Sequence, residues 1–368
     1  IRPRSDPVGN DRATGRSACS AEQPVKGGGP CSQVGGQQGL PDIGTQTLPL
    51  MVAWLMGPNL VGLLAAAVIA RLIAILLLAI RAHRLVAAGY PFRFDLAAAR
   101  RLLGYGGWVT LTSAFGPLLV IVDRFAIGAV LGATAVTIYT VPFQLAQRIA
   151  ILPNALVSAI FPRLPNASPE ERDAISRKAV LSLASVLSPP VLVALFLLHP
   201  FLDLWVGRTL GGEAAEVGRI ILLGFWVNAF AVVPYSRLEG TGRPDLVSKL
   251  LIAQVPFYLC ALYLAMKGFG LVGCAVVFAV RCGVDMTVMS WAATPRLEQA
   301  PLLGANAAVM LAGLAAAWTI DYHQPLLWAC MAILTGLSCW LSWSRMPAEL
   351  RVQLNTLKCV ALRKAGLS

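Results

Sequence analysis

Of the ionisable side chains inside long apolar runs, five are where chemistry would be done. Asp123 and Arg124 interrupt the run LLVIVDRFAIGAVLG. Arg148 follows Gln144 and Gln147 in a second apolar segment, and Arg281 and Asp285 lie four residues apart in a third, so a helix would place them on one face where they can pair. Charges at hydrocarbon depth are costly, and they usually face a bundle interior or a water-filled cavity. Several arginines converging on such a cavity would make a site for an anionic substrate, and the aspartates would pair with neighbouring cations. No metal or cofactor site accompanies them. The eight cysteines form no CxxC pair, His83, His199 and His323 are far apart, and neither a GxxxxGK[ST] nor an HExxH sequence occurs.

The elements that must position these groups follow from composition. Of 368 residues, 57% are hydrophobic and 13% charged, against about 25% charged in soluble domains. That excludes a soluble globular protein. The excess of 30 Lys and Arg over 18 Asp and Glu, +12 in all, reads as basic cytoplasmic loops and not as a nucleic-acid surface. A bilayer core needs about 20 helical residues per crossing. Apolar runs of that order lie near 57–80, 104–129, 134–160, 180–202, 217–236, 247–266, 271–293, 302–320 and 325–344. The fold class expected is therefore all-α, a polytopic membrane bundle of about nine transmembrane helices, with one complete six-helix lobe plus flanking helices.

Alternate breaks are basic. Arg81, Arg84, Arg93, Arg100 and Arg101 fall in one; Arg163, Arg172, Arg177 and Lys178 in the next of the set; then Arg237, Arg243 and Lys249, then Arg296, and then the tail from Arg345. The intervening breaks are short or nearly neutral. The positive-inside rule places the basic set in the cytoplasm. Residues 1–47, rich in Gly, Pro, Ser and Gln, read as a disordered or misassigned segment. The rest divides into 48–100, one span with a basic linker; 101–295, a six-helix lobe; 296–344, two additional spans; and 345–368, a basic tail that could lie on the inner leaflet. Helix-breaking residues recur within spans, at Gly116-Pro117, Pro142, Pro153, Pro189-Pro190, Pro234 and Pro256, a pattern that suits a bundle bending between states.

Residues 100–164, from RRLLGYGGW to FPRL, resemble the start of the second half of bacterial polysaccharide flippases. These are the O-antigen and capsule repeat-unit translocases of the multidrug/oligosaccharidyl-lipid/polysaccharide exporter superfamily. LDLWVG at 202–207, EGTGRPDL at 239–246 and GLVGCAVVFAVRCGVDM at 270–286 agree in order. The resemblance implies a transporter, not an enzyme, with two six-helix lobes around a cationic cavity in the inner (cytoplasmic) membrane. Its cargo would be an undecaprenyl-pyrophosphate-linked oligosaccharide. Its partners would be that lipid, the bilayer, and polysaccharide polymerase with other assembly proteins. The family's aspartate-arginine pair ending the seventh helix falls on Asp123 and Arg124, the arginine and aspartate of the twelfth on Arg281 and Asp285, and the Gly-Arg-Pro loop on Gly242, Arg243 and Pro244. Substrate contact is thus expected from Arg124, Arg148 and Arg281, and pairing or ion coupling from Asp123 and Asp285. The span at 57–80 falls on the family's sixth helix, so the expectation is an incomplete flippase, inactive alone or needing another copy or the missing half. A multidrug exporter of the same superfamily and an integral-membrane glycosyl- or acyltransferase are the alternatives.

Overall fold

In the computed structural model, residues 51, 60–86, 96–161, 164, 167–293, 299–347 and 351 are described. The N-terminal segment 1–47 and most of the basic tail lie outside them. The chain divides into two compact units, 1–95 and 96–368. In the first, the described element is α1 (Leu60–Val86), rich in alanine, leucine and isoleucine and carrying an exposed Arg71.

The second unit is a bundle. Its elements are α2 (Leu96–Leu131), α3 (Ala133–Gln147), a 3-10 turn (Arg148–Ala150), α4 (Ile151–Ile160), α5 (Pro169–Trp205), α6 (Arg208–Gly240), α7 (Pro244–Ala293), α8 (Gln299–Thr319) and α9 (Pro325–Arg345). Among the described residues there is no strand. Five helical segments are long and apolar enough to cross a membrane: 133–160, α5, α6, α7 and α9. The protein is an all-α, multi-pass membrane bundle. Phe125, Phe257, Phe269 and Trp291 are each at least three-quarters exposed, which in water would be costly and in lipid is ordinary.

At 37 residues α5 is about 56 Å long, well beyond a hydrocarbon core of about 30 Å. The excess is its first turns, PEERDAISRK, which carry the charge. Ser168 starts this helix with a capping box: its hydroxyl accepts from the Glu171 amide at 3.2 Å, and the Ser168 amide donates to Glu171 at 2.9 Å. α6 runs back antiparallel to α5. Gly211 lies against the Asp203 backbone at one end, and Gly240 against Leu164 at the other. Within the bundle, Tyr139, Phe143, Phe196 and Phe230 are almost fully buried, and the Trp226 indole N–H donates to the Ser188 hydroxyl at 3.1 Å.

One departure from the sequence reading concerns a segment that carries a charged group. The span at 134–160 is not one continuous helix but is broken at Arg148–Ala150. Pro153 supplies the reason: it has no N–H to donate to the Ile149 carbonyl and its ring crowds that oxygen, so the turn before it tightens to 3-10. By contrast, α5 and α6 carry Pro189, Pro190, Pro200 and Pro234 without interruption.

The spans expected at 247–266 and 271–293 are the two arms of α7, joined at Gly270 with φ 60° and ψ −140°. An L side chain rarely adopts that backbone. Gly270→Ala is therefore expected to lower stability by about 1–3 kcal/mol, whereas Gly268→Ala, with open space around its Cβ, should change it little. Thermal unfolding of the two variants in detergent compares them directly; equal melting temperatures would contradict this account of the bend.

Candidate functional site

α2 is fastened to the first arm of α7 at two levels. At the basic end the Ser248 hydroxyl donates to the Trp108 carbonyl at 3.0 Å, and the Lys249 ammonium lies 5.5 Å from the centre of the Trp108 ring. Deeper in, the Tyr258 hydroxyl donates to Asp123 Oδ2 at 2.6 Å, a short bond of the kind a carboxylate acceptor gives. Asp123 is 2% exposed and Tyr258 5%.

From Tyr258 the contacts continue to the second arm. The Arg281 guanidinium carbon is 4.8 Å from the centre of the Tyr258 ring, within cation–π range. Arg281 Nε is also 3.7 Å from Asp285 Oδ2, in the one-turn pairing expected from the spacing. Asp123, Tyr258, Arg281 and Asp285 thus form one connected row across three helical segments. Asp123 lies about 12 Å of helix from the end of α2, while Tyr258 and Arg281 lie about 18 and 16 Å from Gly270, so the row sits well inside the length of these helices.

Arg124 faces elsewhere. Its guanidinium carbon is 5.6 Å from the centre of the Phe143 ring, which packs in turn on Phe225 and Phe278 at 5.1 and 5.2 Å. Arg148 is exposed on the 3-10 turn and has no ion pair among the described residues. The fold therefore brings Asp123, Arg281 and Asp285 together, keeps Arg124 beside them on an aromatic face, and holds Arg148 apart.

The row has unused hydrogen-bonding capacity. Among the described residues, Asp123 Oδ1, Arg124 Nε and Tyr139 Oη are buried without a hydrogen-bond partner, while the Gln254 side chain lies within reach of Asp285. Tyr139 is within electrostatic reach of Asp123 and Arg124. Buried polar atoms are nearly always satisfied, so several orphans in one cluster mark a place where water, an ion or a ligand binds.

Two cavities meet at Arg281. One of about 340 Å³ lies between the arms of α7, walled by Phe257, Ala261, Val276, Val280 and Val284 with Tyr258 and Gln254. The other, of about 270 Å³, is of mixed character, lined by Asn154, Asn228, Tyr235 and Asp285 together with the apolar Ala231, Val232, Leu251 and Met289. The sequence reading passed over Tyr258, Gln254 and these two asparagines. A mid-span tyrosine whose hydroxyl must find a partner was the available signal, but the identity of that partner was not.

A second polar group lies where the α8–α9 turn meets α5. The Tyr322 hydroxyl donates to Asp203 Oδ2 at 2.9 Å, His199 Nε2 is 3.7 Å from the same oxygen, and the His199 and Tyr322 rings meet edge to face. The hydrogen bond to Asp203 pushes the Tyr322 phenol above its ordinary value. This network ties the last two helices to the bundle. At the opposite end Arg237 pairs with Asp173, joining α6 to α5.

Residues 38–168 match the family described as polysaccharide biosynthesis protein. A Shigella flexneri protein named as an O-antigen transporter is 28% identical over 193 residues, covering 52% of this chain and 46% of that protein. Over these regions the chain is similar to polysaccharide-biosynthesis and O-antigen transport proteins. It spans about half the length of the curated relative it matches. No solved structure matches it. The family match ends just beyond α4, so it covers Asp123, Arg124 and Arg148, while Tyr258, Arg281 and Asp285 lie outside it.

Proposed function

We infer that the protein moves an anionic, undecaprenyl-pyrophosphate-linked oligosaccharide across the bacterial cytoplasmic membrane during O-antigen, capsule or exopolysaccharide synthesis. The observation that supports this most is the row Asp123–Tyr258–Arg281–Asp285 with its orphaned polar atoms and the two cavities sharing Arg281. A diphosphate cannot enter hydrocarbon uncompensated, and a guanidinium at this depth offsets part of that cost. Arg281 contacts the anionic part of the cargo at this site, and Arg124 and Arg148, which face elsewhere, would meet it only at other stages of its passage. Asp285 and Asp123 hold the arginines when no cargo is bound, and release of Asp285 from Arg281 lets it accept a proton or cation in exchange. Polysaccharide polymerase and the other assembly proteins act on the delivered repeat unit.

The test is deletion of the coding region at its native locus. Surface polysaccharide should be lost while the lipid-linked repeat unit accumulates on the cytoplasmic side, and a plasmid copy should reverse both. Unchanged surface polysaccharide and no accumulation would overturn the reading.

A further inference from the structure

Asp203, near the end of α5, has two donors aimed at one oxygen. The Tyr322 hydroxyl, from the turn between α8 and α9, donates to Oδ2 at 2.9 Å, and His199 Nε2, one turn back on α5, lies 3.7 Å from the same atom. The first distance is a hydrogen bond and the second is not. Oδ1 offers no alternative. It is turned toward Gly211 on α6, where even a Cβ would collide with it, and it has no hydrogen-bond partner among the described residues. Tyr322 and a protonated His199 therefore compete for a single acceptor.

The turn that carries Tyr322 is a firm handle on the last two helices. The Asp321 carbonyl accepts from the Gln324 amide at 3.0 Å and its carboxylate from the His323 amide at 3.3 Å, while the Trp328 indole in the first turn of α9 donates to the Tyr322 carbonyl at 3.1 Å. What the handle holds is lightly seated. Of the five segments able to cross a membrane, α9 buries the smallest share of its apolar length. Asn306 Oδ1 on α8, and Thr335 Oγ1 and Ser342 Oγ on α9, are buried without hydrogen-bond partners among the described residues. A seat with unmade hydrogen bonds has few to lose when it shifts.

Charged groups reach the imidazole from every element packed there. Asp203 on α5, Glu216 on α6 and Asp321 on the turn favour a positive ring; Arg219 on α6, 4% exposed, opposes one. Arg208 and His323 stand beside Tyr322. With His199 neutral, its ring packs on Tyr322 with centroids 4.6 Å apart, and the phenol keeps the carboxylate. An imidazolium has the stronger claim on that oxygen, because both partners of its bond are then charged. It needs to move only about 1 Å to reach bonding distance, from a position four residues away on the same helix. Since the charged ring bonds better once Tyr322 has left, proton uptake favours the released turn.

We propose that His199, Asp203 and Tyr322 form a proton-operated latch, closed while His199 is neutral and opened when it is protonated, which sets whether the α8–α9 pair is held against the end of α5. The latch lies at the end of the bundle opposite Arg237, Arg243 and Lys249, which the positive-inside rule makes the outer end, so it answers to acidity outside the membrane. It shares no residue with the row at Arg281 and does not rest on the transport reading.

The experiment follows amide hydrogen exchange in the full 368-residue chain in nanodiscs. It is run at about pH 7.5 and about pH 5.5, either side of the ordinary imidazole value of about 6.5, with rates corrected for the intrinsic pH dependence of exchange. Peptides covering 320–328 should exchange about tenfold faster in acid, while peptides from the middle of α6 should not change. His199→Gln, which cannot take the charge, should keep the slow rate at both values. Tyr322→Phe, which has no hydroxyl to donate, should show the fast rate at both. His323→Gln should behave as the unaltered chain and so separates the two imidazoles.

An acid step retained in His199→Gln would overturn the proposal, and so would its loss in His323→Gln. Slow exchange in Tyr322→Phe at the higher pH would mean that the hydroxyl holds nothing. An equal rise in the α6 peptides would show general loosening in acid instead of release of one turn, and would overturn it as well. Export plays no part in these measurements, so the latch and the transport reading fail separately.

Discussion

Arg281→Ala at the native locus is expected to abolish surface polysaccharide as completely as deletion does, whereas Arg281→Lys keeps a measurable part. Alanine removes the cation shared by both cavities and exposes the anionic cargo to uncompensated low dielectric. Lysine restores the charge but not the fork that binds phosphate bidentately, nor the flat face that lies over Tyr258.

The alanine variant has a second defect, because it strands Asp285 in a buried position, which costs about 3–5 kcal/mol when a buried pair is broken from one side. Part of its loss will therefore be loss of protein. The informative comparison is Arg281→Gln with Asp285→Asn, which removes both charges at similar volume. It is expected to accumulate in the membrane at near-normal level and still export nothing. Export by that double variant at the normal rate would exclude Arg281 from cargo handling.

Tyr258→Phe is expected to uncouple Asp123 from the rest of the row. The ring and its cation–π contact with Arg281 remain, and only the hydroxyl that donates to Asp123 is lost. Asp123 already has one oxygen without a hydrogen-bond partner among the described residues, so the change leaves a nearly fully buried carboxylate with neither satisfied. Hydrogen bonds to charged groups contribute about 1.5–3 kcal/mol in water-soluble proteins, while cycles within membranes average about 0.6 and reach about 1.7 kcal/mol. A coupling of about 1–2 kcal/mol between Tyr258→Phe and Asp123→Asn is thus expected from a double-mutant cycle read by unfolding in detergent. Additive single effects would mean that the bond carries no energy. Functionally, Tyr258→Phe should reduce export at unchanged protein level, because the guanidinium is no longer held at one place by a ring anchored across the helix pair.

How much of this was legible beforehand differs from residue to residue. Arg281 and Asp285 were legible as a pair because a helix repeats every 3.6 residues, so a spacing of four dictates a shared face before any partner is known. Asp123 was legible as an anomaly, since a carboxylate in LLVIVDRFAIG has no cheap place to go. Its partner was not legible: Tyr258 is 135 residues away, and helix periodicity says nothing about which of several neighbouring helices a face meets. Arg124 and Arg148, which look alike in sequence, end up against a phenylalanine ring and on an exposed 3-10 turn. That difference follows from rotation about the helix axis and from Pro153, whose effect on the preceding turn is local and could have been anticipated.

The sequence by itself determined the solvent, the helical class, the alternation of basic and near-neutral ends and the presence of costly charges in apolar segments. All of these follow from transfer free energies and one-dimensional periodicity, which need no knowledge of neighbours. Only the tertiary structure decided that three of the five charged groups share one row, that a tyrosine links them, and that one arginine lines two cavities at once. Those are relations between helices distant in sequence, and packing fixes them through the shape and rotation of every helix in the bundle at once.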